Sequence, residues 1–279
     1  MQRASSLLTV ALLAFPVAAA DLAPFFKPGT IRVLILSGRN NHDWRNDSLV
    51  LRQFLDQTGR FDTRINEEPA GLTAETLAPY HGLVLDYNGP RWGPSAETAV
   101  EDFVRSGRGL VVVHAASYAF GNMEILGNRH ARTGLFEPPW PAYARMVGAS
   151  WSAEAPRTGH GKRHTFTVQW TDREHPVAAG LAASFTTSDE LYHNFRMQPS
   201  AHVLATAFDA PEINGTGKDE PLIWTVAYGR GRVFHTALGH DVAARTAAGF
   251  VASFARGLEW VATGAVTGSP SAPDSRGGR

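Results

Sequence analysis

The stretch that decides the fold is Gly109-Leu-Val-Val-Val-His-Ala-Ala-Ser117. Its first five residues are typical of a buried strand, and a sharp turn after such a strand is where many α/β enzymes carry their nucleophile. Here that position is His114, and the chain of 279 residues contains no cysteine. Because the thiolate is the reacting species in cysteine enzymes, a cysteine-dependent amidotransferase or protease is excluded. Chemistry at this turn must use imidazole, carboxylate, hydroxyl or a metal ion.

The residues before this stretch alternate between strand and helix patterns. Short apolar runs predict strands, and apolar residues at helical spacing predict helices. The strands are predicted over 31–36, 61–66 and 82–86, and the helices over 47–58, 73–77 and 95–105. Strands and helices in this order predict a doubly wound parallel α/β sheet.

The residues after this stretch follow other patterns. Residues 119–151 lose their periodicity, which is typical of a lid or a binding loop. Alternating residues predict a half-exposed strand over 164–169, and a hairpin is predicted over 222–228 and 231–238. A final helix is predicted over 243–262.

Composition limits the classes of protein and of ligand. A hydrophobic fraction of 43% allows one large domain with a buried core. The 26 basic and 26 acidic residues balance, so no nucleic-acid or acidic-lipid partner is expected. We expect a small neutral or mildly polar ligand instead. The tail, 264–279, is rich in Gly, Ser and Pro and is predicted to be disordered.

The first twenty residues predict an export signal. Arg3 supplies the positive charge, residues 7–15 form an apolar run too short to span a bilayer, and Ala18-Ala19-Ala20 resembles a cleavage site. We interpret 1–20 as a signal peptide of a periplasmic or secreted protein, with a retained N-terminal anchor as the alternative. No other segment is predicted to cross a membrane. An exported chain without cysteine has no disulfides, so its core must supply its stability.

Polar side chains follow several predicted strands at their carboxyl ends, where open α/β sheets bind ligands. Any single histidine is more simply explained as a structural ring, and His235 as a core residue. Several histidines at one predicted edge favour a site instead. The polar stretches are Asn40-Asn41-His42-Asp43-Trp44, Asp86-Tyr87-Asn88, His114 and Gly239-His240-Asp241.

The segment Asp189-Glu-Leu-Tyr-His193 offers two carboxylates and an imidazole. In an extended chain Asp189 and His193 share one face, whereas Glu190 and Tyr192 share the other. Asp189 and His193 could be a base with its orienting group or two metal ligands. Glu190 and Tyr192 could equally face a pocket, and the pattern leaves both faces open.

The metal-binding signals along the chain are weak. His160 and His164 are four residues apart and would hold zinc on a helix, but Gly159 and Gly161 disfavour a helix there. A divalent metal held by histidines and carboxylates at the sheet edge stays open, with unknown ligands.

Five motifs in chain order resemble the ThuA-like family, which is named for trehalose utilisation. The resemblance covers residues 30–263 and implies one domain with a flavodoxin-like, mainly parallel sheet, helices on both faces and an antiparallel hairpin extension. The motifs are Ser37-Gly-Arg-Asn-Asn-His-Asp-Trp44, Gly109-Leu-Val-Val-Val-His-Ala-Ala116, Asp172-Arg-Glu-His-Pro-Val177, Asp189-Glu-Leu-Tyr-His193 and Gly231-Arg-Val-Phe-His-Thr-Ala-Leu-Gly-His-Asp241.

The family is similar in fold to class I glutamine amidotransferases but lacks their cysteine, so an amidotransferase label would describe fold and not chemistry. The resemblance implies carbohydrate metabolism, in particular of disaccharides and their 3-keto derivatives. By matching motif, the family's histidines and acids correspond to His42, Asp43, His114, Asp189, Glu190, His193, His240 and Asp241.

The resulting hypothesis is an exported enzyme that cleaves 3-keto-glycosides. A ketone at C3 acidifies the C2 proton, so a positioned base can remove it and expel the C1 substituent. The base is predicted to be His114 or His193, and its partner Glu190 or Asp189. His42 and His240 are predicted to polarise the ketone, directly or through a divalent metal. The residues predicted to bind the sugar are His42, Asp43, Trp44, Tyr87, Asn88, Tyr192, His240 and Asp241, and Trp140 could also stack on it.

Two other functions are considered. A non-catalytic carbohydrate-binding protein would keep its affinity after loss of single histidines and lose it with the aromatic residues. A hydrolase using Ser117 is disfavoured, because no Gly-x-Ser-x-Gly elbow surrounds that serine. The sequence assigns neither the sugar nor the oligomeric state.

Overall fold

The computed structural model describes residues 25–118, 120, 123–126, 129–132 and 140–267. The predicted signal peptide, 1–20, lies outside the described residues, as does most of the predicted tail, from 268 onward. Parts of the predicted irregular loop, residues 119, 121–122, 127–128 and 133–139, also lie outside them.

The chain up to residue 113 alternates strands with helices, as its apolar pattern predicts. Each predicted element is present, with ends that differ by three residues or fewer from the predicted ones. The elements are β1 (Ile31–Leu36), α1 (Trp44–Gln57), β2 (Phe61–Asn66), α2 (Ala74–Leu77), β3 (Gly82–Leu85), α3 (Pro94–Arg105) and β4 (Gly109–Val113).

The rest of the described chain contains mainly short strands and antiparallel pairs. The strands are β5 (Met123–Leu126), β6 (Arg129–Arg132), β7 (Ala149–Ser150), β8 (Gly159–His160), β9 (His164–Trp170), β10 (Ser184–Asp189), β11 (Tyr192–His193), β12 (Arg196–Met197), β13 (Ala201–Phe208), β14 (Asp219–Tyr228) and β15 (Gly231–Thr236). The helices are α4 (Pro141–Val147), α5 (Val242–Arg245) and α6 (Ala248–Thr263). The predicted irregular loop therefore contains α4 and three short strands.

Nine of these strands form one sheet in the order β10-β9-β13-β14-β15-β4-β3-β1-β2. The five neighbouring strands β2, β1, β3, β4 and β15 are parallel to one another. On the other side of β15, the strands β14, β13, β9 and β10 each pair antiparallel with their neighbours. The parallel half has the strand order 2-1-3-4-5 that is typical of flavodoxin-like sheets, with β15 in fifth place. The predicted fold class is confirmed.

The predicted hairpin has a more central place than an extension would. β14 and β15 are joined by the two-residue turn Gly229-Arg230, and β15 pairs with β4 in the middle of the sheet. The antiparallel strands then continue outward from β14. Every residue from Leu222 to Val226 is buried, and all but Thr225 are apolar, which fits a strand that is covered on both faces.

The predicted helix over 243–262 is two helices. Asp241 caps α5 by accepting a hydrogen bond from the backbone of Ala244 at 2.8 Å. Ala247 is extended, and α6 begins at the next residue. This break lets Arg245, at the end of α5, point into the core while α6 lies across β3, β4 and β15.

The sheet is covered closely at its centre. Every residue of β4 is buried, which explains its uniformly apolar sequence. Gly109 is needed at the start of β4, because a Cβ there would lie 2.6 Å from the carbonyl carbon of Val261 in α6. Among the described helices, none has both the length and the apolar character of a membrane span.

A buried arginine links the first and last parts of the chain. Arg245 donates hydrogen bonds from Nη1 and Nη2 to the carboxylate of Asp86, at 2.8 and 2.9 Å, and from Nε to the carbonyl of Gly239 at 2.9 Å. Asp47 of α1 is also buried, with Oδ2 at 3.7 Å from Arg245 Nη2. Neither carboxylate oxygen of Asp47 accepts a hydrogen bond from a described residue. One acid is thus well bonded to the guanidinium and the other is not.

Burial raises the pKa of Asp47 from 3.8 to about 7, against the opposing effect of Arg245. Between those pH values the folded protein binds more protons than the unfolded chain, so Asp47 lowers the free energy of unfolding as the pH rises. Asp47→Asn stays neutral and should remove this contribution. We therefore compare the free energy of unfolding of the variant with that of the wild type at each pH. The variant's advantage should be larger at pH 8 than at pH 4 by as much as about 4 kcal/mol, since one pKa unit corresponds to about 1.4 kcal/mol.

Urea unfolding of both proteins at the two pH values measures this difference. An equal stability difference at pH 4 and pH 8 would contradict the assignment. Asp56→Asn, at a half-buried position on the same helix, serves as the control.

Candidate active site

Four side chains meet at the carboxyl edge of the parallel strands. His42 follows β1, His114 follows β4, Glu190 follows β10 and His240 follows β15. Each offers one nitrogen or oxygen atom, and these four atoms all lie within 4.8 Å of one another. We call these four residues the histidine cluster. It combines imidazoles from three loops with one carboxylate, which is a donor set suited to proton transfer or to metal binding.

His114 is held by both its backbone and its ring. Its φ of +47° lies in the left-handed region that non-glycine residues rarely adopt, at the step from β4 into a 3-10 helix (His114–Tyr118). Ring atom Nδ1 lies 2.7 Å from the carbonyl oxygen of Ala237 and must donate to it, because a carbonyl only accepts. Nε2 therefore carries the lone pair, and it accepts the hydroxyl of Tyr192 at 2.6 Å.

His42 is oriented by the asparagine two residues before it. Asn40 Oδ1 lies 3.1 Å from the backbone nitrogen of His42 and 2.9 Å from its Nδ1, so it accepts from both. Asn40 is itself buried, and its amide donates to the carbonyl of Asp86. The proton on Nδ1 leaves Nε2 of His42 as the ring's acceptor atom. The ring centroid of His42 lies 4.8 Å from that of His114 and from that of His240.

His240 stands on a turn that Asp189 holds in place. The carboxylate of Asp189 accepts hydrogen bonds from the backbone nitrogens of Gly239 at 2.7 Å, His240 at 3.1 Å and Glu190 at 2.8 Å. Gly239 has a φ of +104°, which favours glycine, and a Cβ there would lie 2.8 Å from the ring of Phe250. Asp189 thus fixes two loops at once, and its carboxylate faces the backbone.

Glu190 lies between the imidazoles. Its Oε2 is 3.1 Å from Nδ1 of His240 and 3.6 Å from Nε2 of His114, and its Oε1 is 3.4 Å from Nδ1 of His160. The atoms of the first pair are close but not aligned as a hydrogen bond, since the buried Nδ1 of His240 has no hydrogen-bond partner among the described residues. The structure therefore turns the face with Glu190 and Tyr192 toward the cluster.

The cluster moves the pKa values of its members in different directions. Burial, with His114 and His240 nearby, lowers the pKa of His42 to about 2. The contact with Glu190 raises the pKa of His240, against the effect of burial. Burial would raise the pKa of Glu190, but the neighbouring imidazoles hold it well below its usual range. A neutral imidazole thus lies beside a more basic one and an ionised carboxylate.

Other predicted site residues make contacts outside the cluster. His193 Nδ1 lies 2.7 Å from Oδ2 of the buried Asp209, so the pair that His193 forms is with Asp209 and not with Asp189. Asp241 caps α5 and pairs with Arg163 at 3.0 Å. Asp43 is exposed and accepts from Asn46 at 2.6 Å.

The predicted aromatic contacts are mostly in the interior. Tyr87 is buried, donates its hydroxyl to the carbonyl of Pro90 at 2.6 Å and packs on Trp92. Trp44 and Trp140 are also buried. Asn88 is buried behind the site loop, where its Oδ1 accepts from the backbone of Asn41 at 3.2 Å. Tyr192 is the predicted sugar-binding aromatic that touches the cluster.

Ser117 is buried, and its Oγ accepts the indole of Trp151 at 2.7 Å. A serine that is 2% exposed and engaged in this way is poorly placed as a nucleophile.

Sequence reasoning did not place two residues at the cluster rim: Tyr118, and His160, which it considered only as a zinc pair with His164. His160 reaches Glu190 because β8 pairs with β11, which places His160 opposite Tyr192. Tyr118 donates its hydroxyl to Asn41 Oδ1 at 2.9 Å and braces the His42 loop. Their positions depend on pairings between distant segments, and nothing in the local sequence around either residue indicates them.

Comparisons with known proteins agree with this fold. The family model ThuA, described as trehalose utilisation, matches residues 32–261. A solved structure of a protein from Parabacteroides merdae, described as ThuA-like, is similar at 32% identity and a TM-score of 0.73, over 86% of this chain and 92% of that one. No curated protein matches the chain.

Two further structures share the fold at lower identity. One is a protein from Bacteroides uniformis described as ThuA-like, at 18% identity and a TM-score of 0.64, over 85% of this chain and 93% of that one. The other is a cytoplasmic protein from Salmonella typhimurium, at 14% identity and a TM-score of 0.58, over 82% of this chain and 99% of that one.

The two neighbouring acids should differ in what they contribute to stability. Asp189→Ala removes the acceptor of buried backbone donors and should lower the free energy of unfolding by about 2–4 kcal/mol. Glu190→Gln keeps the side chain's shape and leaves the backbone donors of Asp189 paired, so it should lower the free energy of unfolding by less than Asp189→Ala does. Urea unfolding at pH 7 compares the two variants. Equal losses in both would show that Asp189 has no special supporting role.

Proposed function

Because the chain belongs to the ThuA family of trehalose utilisation, we propose that it is a carbohydrate-metabolism enzyme whose histidine cluster cleaves 3-keto-glycosides. The observation that carries this proposal is the meeting of three imidazoles and one carboxylate at the carboxyl edge of the parallel strands, with donor atoms within 4.8 Å of one another. Within this cluster His42 is kept neutral, whereas Glu190 makes His240 more basic. Titratable groups whose environments push their pKa values apart are typical of acid and base roles in one active site.

His114 is our candidate for the base. The Ala237 carbonyl fixes its tautomer, so Nε2 presents a lone pair to the cluster. Glu190 Oε2, at 3.6 Å, would stabilise the imidazolium that forms when His114 takes a proton. Tyr192 donates to the same Nε2, so its hydroxyl must turn away before a substrate proton can be taken.

The proposed reaction begins at the carbon next to the ketone. His114 Nε2 takes the C2 proton, and the C–H electron pair forms an enolate with its negative charge on the C3 oxygen. When the C3 carbonyl forms again, the electron pair makes a C1–C2 double bond and the C1–O bond breaks. The leaving oxygen takes a proton and departs as an alcohol, and water added across C1–C2 returns a 3-keto sugar.

His240 is placed to assist at the ketone oxygen. Its raised pKa favours a protonated ring, which can donate a hydrogen bond to the developing enolate. His42 supplies a neutral ring held by Asn40, which can orient a sugar hydroxyl or the ketone. This division of roles uses each cluster residue once.

We also propose that the enzyme acts outside the cytoplasm. The positive Arg3, the apolar residues 7–15 and the small residues 18–20 support this part of the proposal. Detection of a mature N terminus near Asp21 by mass spectrometry would test it.

The purified protein should convert 3-keto-glycosides and leave the matched unoxidised glycosides intact, because only a ketone at C3 acidifies the C2 proton. Release of the aglycone from paired nitrophenyl substrates measures both. Equal cleavage of both forms would contradict proton abstraction next to a ketone. Binding of sugars without any turnover would favour a carbohydrate-binding protein.

His114→Asn should lower kcat/KM by about 10²- to 10⁴-fold, the usual contribution of a general base. Asparagine tolerates the left-handed backbone that His114 adopts, so the variant keeps the turn without a base. His193→Ala, at a position paired with Asp209, is the matched control and should retain most activity. Loss of activity in His193→Ala, with activity retained in His114→Asn, would instead identify His193 as the base.

A further inference from the structure

We propose that His42, His114, Glu190 and His240 form a binding site for one divalent transition-metal ion, of the kind zinc or cobalt represents. The four donor atoms lie within 4.8 Å of one another and come from four different loops. Three imidazole nitrogens and one carboxylate oxygen are a ligand set that suits zinc and its neighbours in the first transition row. The site shares its residues with the proposed function, and it rests on that function only for the ion's role in turnover. Because a bound ion would occupy His114 Nε2 and His240 Nδ1, the roles given above to these two rings as base and proton donor belong to the metal-free protein.

The orientation of two rings is the first support. Nδ1 of His114 donates to the Ala237 carbonyl, and Nδ1 of His42 donates to Asn40 Oδ1. Histidines that bind metals almost always donate their other ring N–H to a carbonyl or carboxylate in this way, which fixes the tautomer and the ring plane. Both Nε2 atoms are therefore in the protonation state that a metal requires.

The orphaned nitrogen of His240 is the second support. Its Nδ1 is buried and 3.1 Å from Glu190 Oε2, yet the pair makes no hydrogen bond. Buried polar atoms are nearly always satisfied, so this one calls for a partner. A cation bound between Nδ1 and Oε2 would satisfy both atoms.

The geometry also shows what must change on binding. In a tetrahedral zinc site with bonds of about 2.0–2.1 Å, ligand atoms lie roughly 3.3 Å apart. A pair of donor atoms at the 4.8 Å limit must therefore close by about 1.5 Å. His42 and His240 are partly exposed and have room to rotate. The Tyr192 hydroxyl, which now donates to His114 Nε2, must give up that nitrogen to the ion. When bound, the ion would act as a Lewis acid on a carbonyl oxygen.

The test is metal binding by the purified chain, stripped with a chelator and dialysed. Titration with Co²⁺ alone, followed by its visible absorption spectrum, should show one ion per chain with nitrogen and oxygen ligands. Calorimetry with Zn²⁺ should give the same stoichiometry. His42→Ala, His240→Ala and Glu190→Gln should each weaken binding by at least about 100-fold, since even the loss of groups behind the ligands costs about 10- to 100-fold.

His193→Ala, whose ring is bonded to Asp209, is the control and should bind Co²⁺ like the wild type. Glu190→Gln is isosteric, so it keeps the test valid if an alanine variant fails to fold. Absence of stoichiometric binding by the wild type, or unchanged binding by Glu190→Gln and His42→Ala, would overturn the site.

Metal binding and turnover are separate readouts. Stoichiometric binding without cleavage of any 3-keto-glycoside, by either the stripped or the loaded protein, would support the metal site and contradict the proposed function. Cleavage by a stripped protein that binds no Co²⁺ would support the function and refute the metal site.

Discussion

The buried contact between Arg245 and Asp86 is the interaction on which the rest of the structure depends. It joins the end of β3 to α5, and through the Gly239 carbonyl it holds the turn that carries His240. A buried guanidinium is costly unless its donors are paired, so the elements that supply those acceptors cannot move independently. The edge of the parallel sheet and the C-terminal helices are thereby held in one fixed arrangement. The histidine cluster lies at this edge and depends on that arrangement.

The parallel half could be predicted from sequence because its strands are buried on both faces and its helices have one apolar side. The position of β15 could not, since a hairpin pattern does not say which strand it joins. The same holds for the 189–193 segment. Alternation places Glu190 and Asp189 on opposite faces, but only the contact of Asp189 with Gly239 and His240 determines that Glu190 faces the site. The pairing of His193 likewise depends on Asp209, which lies 16 residues away, just after the end of β13.

The two adjacent acids illustrate how one backbone serves both support and chemistry. Asp189 is satisfied by backbone nitrogens and fixes two loops, whereas Glu190 meets imidazoles from elsewhere in the chain. His114 shows a similar division within one residue, because its Nδ1 anchors the ring and its Nε2 faces the cluster. The left-handed backbone at His114 aims that ring into the cluster.

The central place of β15 has a consequence for how the chain is made. One edge of β4 can pair with β3 as soon as both strands have been synthesised, but the other edge pairs with β15. Likewise, the ring of His114 is held by the carbonyl of Ala237, which is 123 residues later in the chain. Until then the nascent polypeptide carries an unpaired, wholly apolar strand, which is a template for association with other chains. The sheet can therefore be completed only after residue 237 has been synthesised, and factors that shield β4 during synthesis have a defined segment to protect.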